Sequence, residues 1–364
     1  MTNFVLIHQS IIDRDAIGQD IFEMYKLLGQ KHAAHLYCQY FQGADGCKRI
    51  DFASLSTLIQ NPETVLIYHH SNYWEEGENV LLNARCRIVI KYHNVTPPDF
   101  FRGIPEYFGG CLRGREQTYR LARVLPGALW MSDSNYNLLE LGLRRISPSA
   151  IVPPFPDPSS ATHTKPDLET LKTLIEDSSL NIFFIGRVAP NKGHLLLARV
   201  LASYRDLYGE KIRLSVFGKL DQNNKSYFDN FLDRIKLAGV EHLFNWGAAV
   251  SDEVRLAYYL GAGAYVCCSD HEGFCVPIVE AQACKLPVVA KDSGAVSETL
   301  GPGQLLLRDD PVEFAHVLHR IATDNRYREN IVNRGHNNYT QRFQYRVVRQ
   351  LFLSSMQNFL GYEL

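Results

Sequence analysis

Two segments in the second half of the sequence combine charged residues with glycine in a way that suits anion binding. The first, Gly186–Gly193 (GRVAPNKG), follows the apolar run Phe183–Ile185 and carries Arg187 and Lys192 just before a predicted helix. Two cations at the carboxyl end of a strand, beside a helix N-terminus, suit a phosphate, because Arg grips it in bidentate fashion and Lys adds a point charge. The local pattern leaves a solvated loop with two ordinary surface cations as the alternative.

The second segment, Glu272–Glu280 (EGFCVPIVE), follows the predicted strand Ala264–Cys268 and leads into a helix whose first turn accommodates Pro277. At about 100° per residue, Glu280 lies close to the apolar stripe of that helix. A carboxylate there needs a partner, which is either the hydroxyl pair of a ligand or a structural hydrogen bond. Gly273 leaves backbone N–H groups open to close approach by a ligand.

The elements that must position these segments follow a repeated pattern. Apolar runs such as Phe4–Ile7, Arg87–Tyr92, Leu180–Ile185 and Ile212–Phe217 alternate with amphipathic segments such as His194–Tyr208. This β-α alternation predicts parallel sheets covered by helices on both faces. Ligands of such open sheets bind outside the carboxyl ends of the strands, so function is expected in the loops that follow strands.

A proline-rich stretch separates two such runs of alternation. Residues 147–158 contain five prolines, which a regular helix or a central strand does not tolerate. The sequence therefore predicts an N-terminal domain over residues 1–158 and a C-terminal domain over residues 159–344. Residues 345–364 contain a final amphipathic helix, roughly Tyr345–Leu360.

Composition excludes several classes of protein. The chain of 364 residues has a formal net charge of -1, which gives no electrostatic support to nucleic-acid binding. Eight cysteines without a C-x-x-C pair indicate reduced, buried thiols in a cytoplasmic protein, not a disulfide framework or a zinc site. No apolar run approaches the length of a membrane helix, and the first residues do not look like a signal peptide. Peripheral contact with a membrane is left open.

The two charged segments together resemble a known family. EGFCVPIVE is similar to the E-x7-E motif of glycosyltransferase family 4, whose members are retaining enzymes with the GT-B fold. GRVAPNKG looks like the phosphate-binding strand and loop of that family, and Phe244–Ser269 resembles its nucleotide-base region together with the helix and strand that follow it. The resemblance covers most of the C-terminal domain and, more weakly, the N-terminal one.

The resemblance implies an α/β fold of two Rossmann-like domains facing each other across a cleft, with the C-terminal helix crossing back to the N-terminal domain. It assigns the donor diphosphate to Arg187 and Lys192, a donor-sugar hydroxyl to Glu272 and the ribose hydroxyls to Glu280. It implies further donor contacts at Gly18, Gly186, Gly218, Lys219, Trp246, Ala248, Val250, Gly273, Phe274, Cys275 and Val276. The catalytic set is then Arg187, Lys192, Glu272 and His93.

Some N-terminal features carry less weight. His93 follows the strand Arg87–Tyr92, where family members often have a His near the reacting sugar, whereas a His at a strand end is otherwise usually structural. Gly18 alone remains where the family has a glycine-rich loop. The segment 13–15 mimics the D-x-D metal motif of a different glycosyltransferase fold and is read as a loop or helix cap. The pair His69-His70 has no third ligand nearby in sequence, which disfavours a metal.

The function that the resemblance implies is retaining transfer of a hexose from a nucleotide sugar of the UDP-glucose or GDP-mannose type. The acceptor is an oligosaccharide or a lipid-linked glycan in polysaccharide biosynthesis. No metal and no separate cofactor are expected. A sugar-nucleotide epimerase with the same fold and a non-catalytic nucleotide-sugar-binding protein are the two alternatives. The sugar, the base, the acceptor and the oligomeric state are left open.

Overall fold

The computed structural model describes residues 2–13, 15–43, 46–140, 142, 148–155 and 164–364. The chain divides into two compact units, one comprising Met1–Pro156 with Gln344–Leu364 and the other Asp157–Phe343. The residues at the predicted boundary, 158 and 159, and Arg14 of the D-x-D-like segment lie outside the described residues.

The first unit contains a six-stranded parallel sheet in the order β3-β1-β5-β6-β7-β8 and a small parallel pair, β2-β4. Its strands are β1 (Asn3–Ile7), β2 (Ser10–Ile12), β3 (Ala33–Tyr37), β4 (Tyr40–Gln42), β5 (Thr64–His70), β6 (Arg87–Tyr92), β7 (Leu129–Ser132) and β8 (Ser149–Ile151). The described helices of this unit, apart from the C-terminal one, are α1 (Ala16–Gly29), α2 (Phe52–Leu58), α3 (Glu75–Asn83), α4 (Pro105–Val124) and α5 (Asn135–Glu140).

The C-terminal helix, Tyr345–Leu360, completes the core of this first unit. Four side chains spaced four residues apart lie along one face of it and are fully or almost fully buried: Val348, Phe352, Met356 and Leu360. They pack in one cluster with side chains of β1 and α1. The amphipathic pattern thus buries its apolar stripe against a sheet that formed from the other end of the chain.

The second unit contains a six-stranded parallel sheet in the order β11-β10-β9-β12-β13-β14. Its strands are β9 (Leu180–Ile185), β10 (Ile212–Phe217), β11 (Phe244–Gly247), β12 (Ala264–Cys267), β13 (Val288–Lys291) and β14 (Leu305–Leu307). Its described helices are α6 (Leu168–Glu176), α7 (His194–Tyr208), α8 (Lys225–Leu237), α9 (Asp252–Gly261), α10 (Val276–Ala283), α11 (Val296–Leu300), α12 (Pro311–Thr323) and α13 (Asn325–Arg342), and the C-terminal helix of the first unit is α14.

The α/β class predicted from the sequence is confirmed, because both sheets are parallel and both have clusters of buried side chains on each face. The predicted bounds of α7, β9 and β10 coincide with the observed ones. The sequence patterns did not reveal α2, α3 or the strand β11. Among the described helices, none combines the length and the apolar character needed to cross a bilayer.

Candidate functional site

Two loops that follow neighbouring strands of the second unit lie against each other. The loop after β9 ends in a short 3-10 turn, and Gly193 then begins α7 in the left-handed conformation at φ 68°. A Cβ on Gly193 would lie 1.8 Å from the carbonyl oxygen of Cys268, so only glycine fits there. Asn191 holds the second loop through its backbone oxygen, which accepts the N–H of Asp270 at 2.8 Å, and through its side chain, which donates to the oxygen of His271 at 3.3 Å.

This packing brings two predicted catalytic residues, Lys192 and Glu272, into direct contact. Lys192 Nζ donates to Glu272 Oε1 at 2.7 Å, and the hydroxyl of Ser269 donates to the same oxygen at 2.7 Å. The two charged side chains are 18% and 10% exposed. Burial alone would lower the pKa of Lys192, but the adjacent Glu272 carboxylate outweighs it and raises that pKa. Lys192 is therefore charged, and its charge is already partly neutralised.

Glu272 is also fixed through its backbone. Its carbonyl oxygen accepts the N–H of Ala295 at 2.9 Å, and a Cβ on Gly294 would come within 2.5 Å of that oxygen. Three residues on, Cys275 adopts the left-handed conformation at φ 77° and begins α10. This conformation is uncommon for a residue other than glycine, so the turn between Glu272 and α10 is held by its surroundings.

The other glutamate of the motif, Glu280, has protein partners on both carboxylate oxygens. Arg255 Nη1 donates to Oε1 at 3.1 Å and the hydroxyl of Tyr259 donates to Oε2 at 2.6 Å. Burial, reinforced by the Glu280 charge, raises the pKa of Tyr259 well above its usual value, so this hydroxyl stays a donor. The partners that the sequence predicted for Glu280 are thus Arg255 and Tyr259, which lie one turn apart on α9.

Of the remaining residues predicted to bind the donor in this unit, some are open to solvent and the others pack against neighbouring groups. Arg187, Lys219 and Ala248 are exposed, and Gly273 and Val276 are half-buried. The others take part in packing: Gly186, Gly218, Trp246, Val250, Phe274 and Cys275. A Cβ on Gly218 would lie 1.8 Å from the oxygen of Gly186, and the ring of Trp246 packs 4.5 Å from that of Phe228. The tryptophan ring therefore contributes to the core, and a nucleotide base would have to use the exposed edge of this segment.

The assignment of Gly18 to phosphate binding is not what its surroundings favour. Gly18 is buried in the first turn of α1, and a Cβ there would lie 2.0 Å from the carbonyl oxygen of Ile12. The absence of a side chain lets α1 pack closely on β2. This close packing alone accounts for the glycine.

In the first unit, His93 lies in a buried cluster of charged and titratable groups. Its Nδ1 is 2.9 Å from Asp133 Oδ2, and its Nε2 is 2.9 Å from Nδ1 of His69. The Asp133 carboxylate also accepts from Lys91 Nζ, which donates in addition to the oxygen of Val152 at 2.6 Å. Both ring nitrogens of His93 thus face protein groups, so it does not present a free nitrogen to a substrate in this conformation.

Asp20 lies on the other side of the same cluster. Its Oδ2 is 3.9 Å from Lys91 Nζ, from His69 Nδ1 and from His93 Nε2, while its Oδ1 accepts the N–H of Phe155 at 2.8 Å. Burial raises the pKa of Asp20. Asp20, His69 and His93 offer ligand atoms within 4.8 Å of one another. The Lys91 ammonium, however, already supplies positive charge beside that carboxylate, which weakens the case for a metal ion.

Sequence reasoning missed Asp20, Lys91 and Asp133 and set aside His69. One signal was present, since Lys91 interrupts the apolar strand Arg87–Tyr92 and a lysine buried there requires a carboxylate. Its partner, Asp133, lies 42 residues away in the sequence, and only the parallel pairing of β6 with β7 brings the two together.

Comparison with known proteins shows what the second unit is similar to in sequence. Residues 169–338 match the family model described as glycosyl transferases group 1. A D-inositol 3-phosphate glycosyltransferase from Thermobifida fusca is 30% identical over 193 residues, which are 50% of this chain and 44% of that protein. A second D-inositol 3-phosphate glycosyltransferase, from Stackebrandtia nassauensis, is 26% identical over 275 residues, which are 70% of this chain and 60% of that protein. The chain thus spans about half the length of these curated relatives.

The fold of the whole chain also has counterparts. Anabaena Alr3699/HepE, solved in complex with UDP and glucose, matches with a TM-score of 0.76 at 15% sequence identity, over 98% of this chain and 100% of that one. At this identity the match shows the fold alone, and it agrees with the predicted GT-B architecture of two Rossmann-like units. The similarity in sequence to the model of glycosyl transferases group 1 lies within residues 169–338 of this chain.

Proposed function

We propose that this protein is a retaining glycosyltransferase that moves a hexose from a nucleotide sugar to an oligosaccharide or lipid-linked glycan in polysaccharide biosynthesis. The observation that carries this proposal is the contact of Lys192 with Glu272 at 2.7 Å. A charged lysine and a carboxylate, each partly open to solvent and held by two loops at strand ends, form a site with one group for a phosphate and one for a sugar hydroxyl.

In this proposal, donor binding replaces the ion pair by two new contacts. Lys192 turns to the diphosphate, together with the exposed Arg187, and Glu272 accepts a hydrogen bond from a hydroxyl of the donor sugar. As the bond between the anomeric carbon and the phosphate oxygen breaks, negative charge grows on the leaving diphosphate. The two cations stabilise that charge more strongly in the transition state than in the bound donor, which accelerates the reaction.

The carboxylates of the motif are poorly placed to act as nucleophiles. Oε1 of Glu272 accepts the hydroxyl of Ser269, the donor-sugar hydroxyl occupies Glu272 in this proposal, and both oxygens of Glu280 have donors. We therefore favour a front-face displacement. The acceptor oxygen bonds to the anomeric carbon on the face that the diphosphate leaves, and the acceptor proton passes to a phosphate oxygen of the leaving group. This route gives retention without a covalent intermediate on the protein.

The donor is proposed to be of the UDP-glucose or GDP-mannose type. The similarly folded Alr3699/HepE was solved with UDP and glucose, which makes uridine nucleotides the first to try. We expect transfer to proceed without a metal ion, because Arg187 and Lys192 supply the charge that a metal would otherwise provide. Chelation with EDTA is then expected to leave the rate unchanged, and a loss of activity that added Mg²⁺ or Mn²⁺ restores would contradict that expectation.

The proposal is tested by binding first and transfer second. UDP-, GDP- and ADP-sugars and the matching free nucleotides are screened by thermal shift, where a ligand at 100 times its Kd adds about 2.7 kcal/mol of stability. The Lys192→Ala variant is expected to lose most of the shift with free diphosphates, because a charged hydrogen bond contributes about 1.5–3 kcal/mol. A sugar nucleotide that shifts the parent protein is then incubated with and without glycan acceptors.

The outcomes separate the alternatives. Transfer that depends on an acceptor supports the glycosyltransferase, whereas a changed sugar nucleotide without acceptor identifies an epimerase. Binding without any reaction identifies a nucleotide-sugar-binding protein. No thermal shift with any nucleotide would refute the donor site itself.

A further inference from the structure

The cluster around His93 lies where the sheet of the first unit would bind a ligand. His8, His69, His93 and Asp133 stand at or just after the carboxyl ends of β1, β5, β6 and β7, which are neighbours in that sheet. The side chains of His69, His93 and Asp133 are at most 4% exposed. Such a row of buried polar groups at the ligand-binding edge of a parallel sheet calls for an account of where each proton sits.

The position of the first proton, on the ring of His93, is fixed by Asp133. Burial alone would raise the pKa of this carboxyl, but His93 and Lys91 outweigh burial and hold the pKa below its usual value. An ionised carboxylate only accepts hydrogen bonds, so Nδ1 of His93 carries a hydrogen and donates it to Asp133 Oδ2 at 2.9 Å.

The second proton is the one on the ring of His69. Burial lowers the pKa of His69 well below its usual value, so this ring is neutral with a single N–H. Its Nε2 is buried and has no hydrogen-bond partner within the described parts of the chain. A buried N–H without an acceptor is rarer in proteins than an unused acceptor, so the hydrogen sits on Nδ1. His69 Nδ1–H then donates to His93 Nε2 at 2.9 Å.

The resulting chain of donors runs in one direction, from His69 to His93 to Asp133. It leaves one further acceptor unused, because Asp20 Oδ2 is fully buried without a hydrogen-bond partner among the described residues. This oxygen is 3.9 Å from His69 Nδ1, so a shift of about 1 Å would bring it within hydrogen-bond distance of the His69 N–H. The His69 N–H therefore has two acceptors within reach, His93 Nε2, to which it donates, and Asp20 Oδ2, which is unused.

We propose that His69 is a positioning residue for transfer. His69 holds His93 in the tautomer whose Nε2 carries a lone pair, and the His69 N–H donates to that lone pair. When a sugar hydroxyl takes the place of the His69 N–H at His93 Nε2, the His69 N–H donates to Asp20 instead. The inference rests on the proposed function, because it gives His93 the role of accepting a hydrogen bond from a hydroxyl of the acceptor. The charged and titratable groups that face this exchange are His8, Asp20, Lys91 and Asp133.

Two substitutions of His69 separate positioning from packing. His69→Asn keeps a nitrogen donor close to the place of Nδ1, whereas His69→Leu keeps the bulk near His93 and removes the donor. The Leu variant is expected to lower kcat about tenfold, the effect of one lost hydrogen bond, and to leave the Kd of the free nucleotide diphosphate within twofold. The Asn variant is expected to restore most of kcat, which a purely structural role for the imidazole ring would not predict.

A measurement independent of turnover distinguishes failure of this inference from failure of the proposed function. Histidine labelled with 15N in the intact protein reports the tautomer of His93, which is identified by its loss in a His93→Gln variant. The inference predicts hydrogen on Nδ1 of His93 and a lone pair on Nε2 in the parent, and a changed Nε2 signal in His69→Leu. Hydrogen on Nε2 in the parent overturns it, whether or not the protein transfers sugar. A folded Leu variant with parental kcat, or an Asn variant no better than Leu, overturns it as well.

Discussion

The ion pair between Lys192 and Glu272 makes a specific prediction for Glu272→Gln. The substitution keeps the shape of the side chain and an oxygen that accepts from Ser269, and it removes the negative charge. Free nucleotide diphosphate competes with Glu272 for Lys192 in the parent protein and has no such competitor in the variant. Diphosphate binding is therefore expected to stay equal or become tighter, while transfer from the nucleotide sugar becomes slower.

The size of both effects follows from the geometry. At 2.7 Å and an effective dielectric constant of about 20, the gross attraction of the two charges is about 6 kcal/mol. Most of this is cancelled, because both side chains retain contact with water and regain hydration when separated. A net value of about 1.5 kcal/mol, typical of a charged hydrogen bond, limits the gain in diphosphate affinity to roughly tenfold. Loss of one contact made in the transition state costs about 3 kcal/mol, or about 10²-fold in kcat.

Calorimetric titration with free diphosphate and initial rates with the nucleotide sugar measure the two effects separately. Asp229→Asn is the matched control, because it removes a carboxylate from another lysine pair, the exposed one with Lys225 on α8, and neither quantity is expected to change. A folded Glu272→Gln variant with kcat within threefold of the parent would refute the sugar contact. Diphosphate affinity that falls more than tenfold would show that Glu272 helps to bind the diphosphate and does not compete for Lys192.

Three further predictions concern stability. Gly193→Ala is expected to destabilise the protein by more than 2 kcal/mol, because the added Cβ would meet a backbone oxygen at 1.8 Å. Gly239→Ala is the control in urea unfolding and is expected to cost about 1 kcal/mol, because Gly239 has a similar φ of +66° and only a flexible arginine tip 3.6 Å away. Phe352→Ala is expected to lower the free energy of unfolding by about 3–5 kcal/mol, whereas Leu351→Ala, at the exposed neighbouring position, is expected to lower it by less than 1 kcal/mol in the same measurement. Similar values for the two variants would show that α14 does not belong to the core of the first unit. Burial lowers the pKa of His70 to about 3, so between that pH and about 6.5 only the unfolded chain binds this proton, and the free energy of unfolding falls as the pH is lowered through this window. His70→Gln is expected to flatten that dependence, and an unchanged slope would mean that His70 is protonated in the folded protein.

The elements that could be predicted from the sequence are those whose signals are local. The bounds of α7 follow from Gly193 in front of it, Gly209 behind it and an apolar stripe between them. The helix α3 escaped prediction because it is short and begins with an acidic turn, and only part of its surface is buried. Short helices of this kind are stabilised mainly by packing on distant residues, which the local pattern does not reveal.

Within the site, the sequence indicated which residues matter but not which partners they choose. Lys192 and Glu272 were predicted separately, and their contact depends on how the loops after β9 and β12 pack through Asn191. For Glu280 the helix face predicted that a partner was needed, while Arg255 and Tyr259 come from a helix more than twenty residues earlier. Pairings between distant residues follow from the order of the strands in the sheet, which a single sequence does not specify.

The placement of α14 bears on the order in which the chain folds during synthesis. The first unit is made of residues from both ends of the described chain, whereas the second is continuous. A ribosome completes Asp157–Phe343 before it adds the four side chains of α14 that finish the first core. Domains generally fold as they emerge, so the second unit is expected to reach its native state first, while the earlier-made sheet waits with an uncovered apolar face. Of the two units, the one whose synthesis begins earlier is thus expected to become stable later, and it depends more on a chaperone.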